Sequence, residues 1–233
     1  MDFKQGVIFS IDKPLTWTSF AIVNKVRYHI CKHIGEKKLK VGHAGTLDPL
    51  ATGVLVICTG KKTKQIEEIQ SHTKEYIAEL QFGSTTPSFD LETLPDATYP
   101  TEHITRPLIE TVLQRFVGCI EQIPPSYSAC KIDGKRAYDL VRAGKTVELK
   151  PKILVIDEIE LLSFDPEDMK AQIRVVCSKG TYIRALARDI GQALNSGAHL
   201  TALRRTRVGD ITQDQSIKME DFERWLSRTG TQK

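Results

Sequence analysis

Ile22, Val23, Val26 and Ile30 recur at helical spacing, and Thr18 or Ser19 ahead of them can cap free amides, so a helix is expected from that point. Before it, residues 6–11 read as a short strand ended by Asp12-Lys13-Pro14. The basic, glycine-bounded segment 32–42 is expected as an exposed loop. Val54-Leu55-Val56-Ile57-Cys58 is wholly apolar, as a strand buried on both faces would be. Residues 75–82 alternate, with Tyr76, Ala78 and Leu80 on one face and Ile77 on the other. Residues 83–101 are rich in Thr, Pro, Ser and Asp and are expected as a mobile loop. Leu108, Val112, Leu113 and Phe116 form a helical stripe ending near Gly118. Beyond Pro124-Pro125 the pattern predicts a basic helix over 137–143 and strands over 155–164 and 171–177. A further helix has Ile183, Leu186, Ala187, Ile190 and Leu194 on its inner face, and a short one lies near 219–226. Strands and helices mix without regular βαβ alternation, internal repeat or long linker, which points to an α+β fold.

Composition narrows the class. In 233 residues, 40% are hydrophobic, enough for a substantial core. The net charge of +4 permits an anionic partner without demanding one. Lys37, Lys38 and Lys40 cluster, as do Lys61, Lys62 and Lys64, and Arg204, Arg205 and Arg207. Any single run of this kind is most often a solvated face. The five cysteines form no C-x-x-C pair, so neither a disulfide framework nor a zinc ribbon is indicated. A secretory leader and a span-length apolar stretch are both missing, which makes the cytoplasm the default and a membrane an unexpected partner. Gly53 to Thr63 superficially suggests a phosphate-binding loop, but its glycine spacing is wrong and Lys62 stands where Ser or Thr is needed. No G-x-G-x-x-G, H-E-x-x-H or G-x-S-x-G occurs.

What remains is Gly42-His43-Ala44-Gly45-Thr46-Leu47-Asp48-Pro49-Leu50-Ala51-Thr52-Gly53. Two small-residue bends frame an acidic residue whose following proline pushes it out of the helical region. Taken alone this is more often a turn than a site. The run, however, closely resembles the catalytic motif of the TruB family of pseudouridine synthases. Lys13-Pro14 with Thr18-Ser19 is similar to that family's first motif, and Lys74-Glu75-Tyr76 to its strand tyrosine motif. The segment from Gln122 through Pro124-Pro125, Tyr127-Ser128-Ala129, Lys131, Gly134, Tyr138, Arg142 and Gly144 is similar to its central motif. Residues 177–184 resemble its arginine motif and Leu203-Arg204-Arg205 its late basic motif. The matches run in order from about residue 6 to 209.

The resemblance implies a pseudouridine-synthase fold with a mixed, largely antiparallel central sheet flanked by helices and loops. It implies an isomerase acting on the T-loop uridine of tRNA, position 55 in tRNA numbering, with the nucleotide flipped out. Asp48 is then the catalytic carboxylate; whether it attacks the sugar or stabilises a charged intermediate stays open. Arg184 is the cation that opposes desolvation of that carboxylate. Tyr76 stacks on the base, and His43 fills space beside it. Lys13, Asp90, Tyr182 and Leu203 complete the expected substrate contacts, Asp90 on a loop that gates RNA access. No cofactor and no metal are expected. The implied partner is the T-arm stem-loop of tRNA, met by a monomer. Residues 1–210 are expected to form the catalytic domain and 211–233 a short helical extension, without the PUA-type RNA-binding domain of many relatives. Leu15-Thr16 departs from the glycine that usually follows Lys-Pro. The rival readings are a non-catalytic tRNA-folding chaperone on the same scaffold, an N-glycosylase that releases free uracil, and a synthase for another RNA.

Overall fold

The computed structural model describes residues 1–128, 130–132, 135–144, 147 and 149–230, and leaves aside the side chains of 131, 132, 135, 136, 138, 141 and 142. Of the central motif, Ala129 and Gly134, with the side chains of Lys131, Tyr138 and Arg142, therefore lie outside the described residues. The chain forms two compact units, Met1–Tyr76 with Leu203–Lys233, and Ile77–Ala202. The first unit contains β1 (Ile8–Lys13), α1 (Ser19–Ile34), β2 (Val41–His43), β3 (Ala51–Thr59), α2 (Ile66–Ser71) and the start of β4 (Lys74–Phe82). The second takes the rest of β4, then β5 (Ser84–Thr85), β6 (Ala97–Thr98), α3 (Arg106–Gln114), β7 (Gly118–Gln122), β8 (Lys131–Ile132), β9 (Lys135–Arg136) and α4 (Ala137–Arg142). It continues with β10 (Lys152–Asp165), β11 (Lys170–Cys177), α5 (Ile183–Ala193) and the start of β12 (Ala198–Val208). β12 returns the chain to the first unit, which ends with β13 (Ile211–Thr212), β14 (Ile217–Lys218) and α6 (Phe222–Arg228). The expected α+β class with a mixed sheet is borne out.

In the first unit β3 is central. It pairs antiparallel with β1, from Ile8↔Cys58 to Lys13↔Gly53, and with β2, and parallel with β12 from Leu203↔Ala51 to Arg205↔Gly53. β14 adds a parallel strand to the other side of β1. One face of β3, carrying Leu55 and Ile57, packs with Ile22, Val26 and Ile30 of α1 and Phe222 and Leu226 of α6. Val54, Val56 and Cys58 face the opposite way, onto Ala44, Ile69 and Val208. Burial on both faces is why this strand shows no alternation. Thr18 caps α1 through its side chain, which accepts from the Ala21 amide. The helix runs through Ile34, past the point where a loop was expected, until Gly35 at φ 70° ends it in the left-handed conformation. β1 begins two residues later than its pattern suggests. The C-terminal helix is fastened by aromatic contact, with the Phe9 ring 5.0 Å from Trp225 and 5.8 Å from Phe222.

In the second unit β10 pairs antiparallel with β11 and β7. α3 buries Val112 and Leu113 as expected, with Ile109 in place of Leu108, and ends before Phe116. The 83–101 stretch, expected as a loop, carries the β5–β6 ribbon and turns its polar side chains inward: Thr86, Ser88 and Asp90 are all buried. Among the described residues no helix is long and apolar enough to cross a membrane.

Candidate active site

The Asp48 loop joins β2 to β3 in the first unit, and three side chains hold its backbone. Arg205, 1% exposed, donates from Nε to the Val54 carbonyl at 2.8 Å, from one terminal nitrogen to Gly45 at 3.0 Å, and from the other to Thr46 at 3.4 Å. Ser19, at the first turn of α1, accepts from the Leu47 amide at 2.9 Å and donates to the Leu47 carbonyl at 3.0 Å. Lys13, wholly buried at the end of β1, donates to the carbonyls of Trp17 (2.6 Å), Pro14 (2.9 Å) and Pro49 (3.3 Å). The Thr16 amide also reaches the Pro49 carbonyl, at 2.8 Å. Downstream, Ala51 returns to the Asp48 carbonyl at 3.0 Å and opens β3. Gly53 sits at φ 100° with β12 pressed against it. A Cβ there would lie 2.2 Å from the Arg205 carbonyl oxygen, so only glycine lets the two backbones approach.

Of the other expected residues of this unit, Lys13, His43 and Leu203 meet that loop, and Tyr76 lies on β4. Burial pulls the Lys13 ammonium down to about 8; the Asp48 carboxylate pushes it back up, and Arg205 adds to the lowering. Lys13 thus meets the loop from inside the fold and through carbonyls. His43 ends β2 and is kept toward its neutral form, chiefly by burial and then by the Arg205 charge. Tyr76 lies on the buried face of β4, 8% exposed. Leu203 is paired opposite Ala51, and its carbonyl receives the Thr52 hydroxyl at 3.5 Å.

Arg184, Asp90 and Tyr182 belong to the second unit. Arg184, on α5 and 4% exposed, donates to the carbonyls of Ser88 at 3.0 Å and Tyr127 at 2.9 Å. Its Nε lies 3.6 Å from the Asp90 carboxylate. Asp90, expected on a loop that gates RNA access, is itself only 6% exposed. It accepts from the Glu92 amide at 2.9 Å, while its carbonyl receives the Thr86 hydroxyl at 2.7 Å. The Phe89 carbonyl is held by the Leu200 amide at 2.9 Å. Tyr182 is bracketed by Gln122, which accepts from its amide at 2.9 Å and donates to its carbonyl at 3.2 Å. The Tyr182 hydroxyl lies 3.4 Å from Cys130 Sγ. Arg205, Ser19 and Gln122 all fall within runs that resemble the family's motifs, but those resemblances assign none of them these backbone-holding roles. The one local signal was Gly53 inside an apolar strand, which announces a second backbone close by.

Residues 32–183 match the family model described as TruB family pseudouridylate synthase (N terminal domain), and residues 184–233 the model described as tRNA pseudouridylate synthase B C-terminal domain. Proteins named tRNA pseudouridine synthase B from Phocaeicola vulgatus and Bacteroides thetaiotaomicron are 70% and 64% identical, each over 98% of this chain and 96% of the relative. A similarly named protein of Mycobacterium leprae is 43% identical over 95% of this chain and 70% of its own. Among solved structures, a chain of a Cbf5-Nop10-Gar1 complex aligns with 98% of this one at 27% identity and a TM-score of 0.72. A chain of an H/ACA RNP bound to a substrate RNA containing 2'-deoxyuridine aligns at 26% identity and 0.68. This chain spans 58% and 57% of those two. With a family model matching more than half of its residues, and relatives this similar along almost their whole length, the chain belongs to the TruB family of pseudouridylate synthases.

Proposed function

We propose that this protein isomerises a uridine of tRNA to pseudouridine, and that the uridine is the T-loop residue at position 55. The observation that carries this reading is the backbone clamp on the Asp48 loop, whose main chain is held by Lys13, Ser19 and Arg205. Proteins 70% and 64% identical bear the name of that enzyme over nearly their full length, which supports the same substrate class.

The reaction breaks the bond between C1′ and N1 of the uridine, turns the freed uracil, and joins C1′ to C5. The C5 proton leaves and N1 gains one, so nothing is oxidised or reduced. Asp48 stands for the carboxylate at C1′, as nucleophile or as counter-charge. Tyr76 stacks on the base, an interaction of about 1–3 kcal/mol in single-strand recognition. His43, held toward neutrality by burial, takes the space of the extruded base without adding a charge there. The chemistry also asks for a guanidinium that keeps the carboxylate ionised, the role the family resemblance gives to Arg184. Asp90, Tyr182 and Leu203 complete the substrate set, while Lys13, expected among the substrate contacts but wholly buried, acts through the loop whose Pro49 carbonyl it holds. The enzyme acts as a monomer in the cytoplasm, where tRNA is found.

The test is tritium release from tRNA labelled at uridine C5, with the modified position mapped by primer extension. Release at position 55 by the unsubstituted protein, and none by Asp48→Asn at nearly unchanged tRNA affinity, is the expected result. Binding without release would make the protein a folding chaperone, and liberation of free uracil would make it a glycosylase. Either outcome refutes the proposal.

A further inference from the structure

We infer that a cleft of the first unit, whose walls do not include Asp48, binds one phosphorylated nucleoside unit of the same RNA. The inference rests on the tRNA reading above. The cleft has a volume of about 500 Å³ and lies where the end of β1, the start of α1, β12 and the end of β14 meet. That volume is the size of a site for one nucleotide or a drug-sized ligand.

Its lining is chemically particular. Trp17 forms a half-buried aromatic wall, and the Lys25 ammonium stands 5.1 Å from the centre of its ring. Arg204 also lines the cleft, but its guanidinium is spent on Asp12 through two bonds of 3.1 and 2.9 Å, and on Gln213 at 2.9 Å. Lys13 is likewise taken up by carbonyls. The cations not spent on hydrogen bonds are therefore Lys218 and Lys25, the latter lying over the Trp17 ring, both exposed, with Glu220 as the one lining carboxylate not engaged by Arg204. Aromatic surface flanked by exposed ammonium groups suits a nucleotide: the phosphate draws the lysines, Lys25 away from the indole it covers, and releases counterions, and the base then has a π-face for the ring. Polymer RNA is favoured over a free metabolite because the ammonium groups sit at an exposed rim, where they neutralise a backbone but do not discriminate a small molecule.

The cleft also touches the catalytic loop. Thr52 lines it and receives the Arg204 guanidinium at 3.4 Å, while Lys13, on the same wall, holds the Pro49 carbonyl. A nucleotide seated here bears on the downstream half of the loop that carries Asp48.

The test compares tRNA binding by the unsubstituted protein and by Lys25→Gln/Lys218→Gln over a range of salt. Both side chains are exposed, so the variant should fold normally, which its melting curve checks. Affinity should fall about tenfold near 0.1 M salt, and the slope of log K against log salt should become shallower by about one to two. In the tritium assay the loss should appear in KM. Unchanged affinity and slope would overturn the inference. So would uridine monophosphate quenching Trp17 fluorescence at micromolar concentration while tRNA binding is untouched, since that marks a small-molecule pocket. Should the unsubstituted protein release no tritium, the isomerase reading fails, and the binding titration still judges the cleft.

Discussion

Replacing Arg205 by methionine keeps most of the side-chain volume and removes the guanidinium. Three carbonyls, those of Gly45, Thr46 and Val54, then lose their donor in a place with 1% exposure at the arginine. A buried polar group left without its partner costs roughly 1–3 kcal/mol. The 3.4 Å bond to Thr46 contributes least, and water reaching the exposed Thr46 side of the loop satisfies part of the deficit. The expected loss is therefore about 3–5 kcal/mol, in line with breaking other buried charged contacts on one side. A domain of this kind has a total stability of about 5–15 kcal/mol, so the variant should remain foldable at low temperature. Urea titration at 10 °C reads the stability, and single-turnover tritium release on saturating tRNA reads the chemistry. Because the bonds go to the Asp48 loop, which the proposed function makes catalytic, the rate should fall more than the population of folded protein does. Arg205→Lys, with a charge but no fork, should recover part of the stability and less of the rate. A stability loss under about 1 kcal/mol together with an unaltered rate would refute the clamp.

Gly53→Ala places a methyl group 2.2 Å from the Arg205 carbonyl at a backbone φ of 100°. It should force β12 off β3 and lower the melting temperature by 10 °C or more, to the order of a several-kcal/mol defect; a shift under about 3 °C would count against that pairing. Lys13 has its folded pKa depressed to about 8 against roughly 10.4 in the unfolded chain. The unfolded state therefore holds more protons between those values, and stability should climb as pH rises from about 8 to 10, by up to about 3 kcal/mol. Urea midpoints against pH, with Lys13→Met as the flat reference, check the sign. Asp48→Asn should move the rise to lower pH, because the carboxylate favours the ammonium form.

Much of this was legible in the chain because the signals are local. β4 buries every second residue from Lys74 to Phe82, the alternation that its pattern shows. The cap at Thr18 and the apolar run of β3 are equally local. β12 was not legible. Its buried Arg205 is compensated by carbonyls some 150 residues earlier in the chain, so an inward position reads as a polar one. Gln122 hides for the same reason: fully buried, it imitates a strand neighbour for the backbone of Tyr182, and nothing in a hydropathy pattern marks an amide in that role. Asp90 and Arg184 were picked out through the family resemblance, but nothing local in the sequence announced that both are buried. The α1 boundary slipped because a left-handed glycine, not the onset of lysines, ends the helix.

The clamp also explains why charge and shape should separate at Asp48. Lys13 and Arg205 spend their hydrogen bonds on main-chain oxygens, which do not titrate and do not change when the carboxylate becomes an amide. These main-chain bonds are therefore available to the loop whether or not the charge is present. A fold that held the loop through the carboxylate would couple the two, and Asp48→Asn would lose affinity along with turnover. Retained binding with lost chemistry is the outcome expected where the carbonyl bonds dominate the course of the loop. Weakened binding in that variant would mean that Asp48 itself holds the loop, whatever the carbonyl bonds contribute.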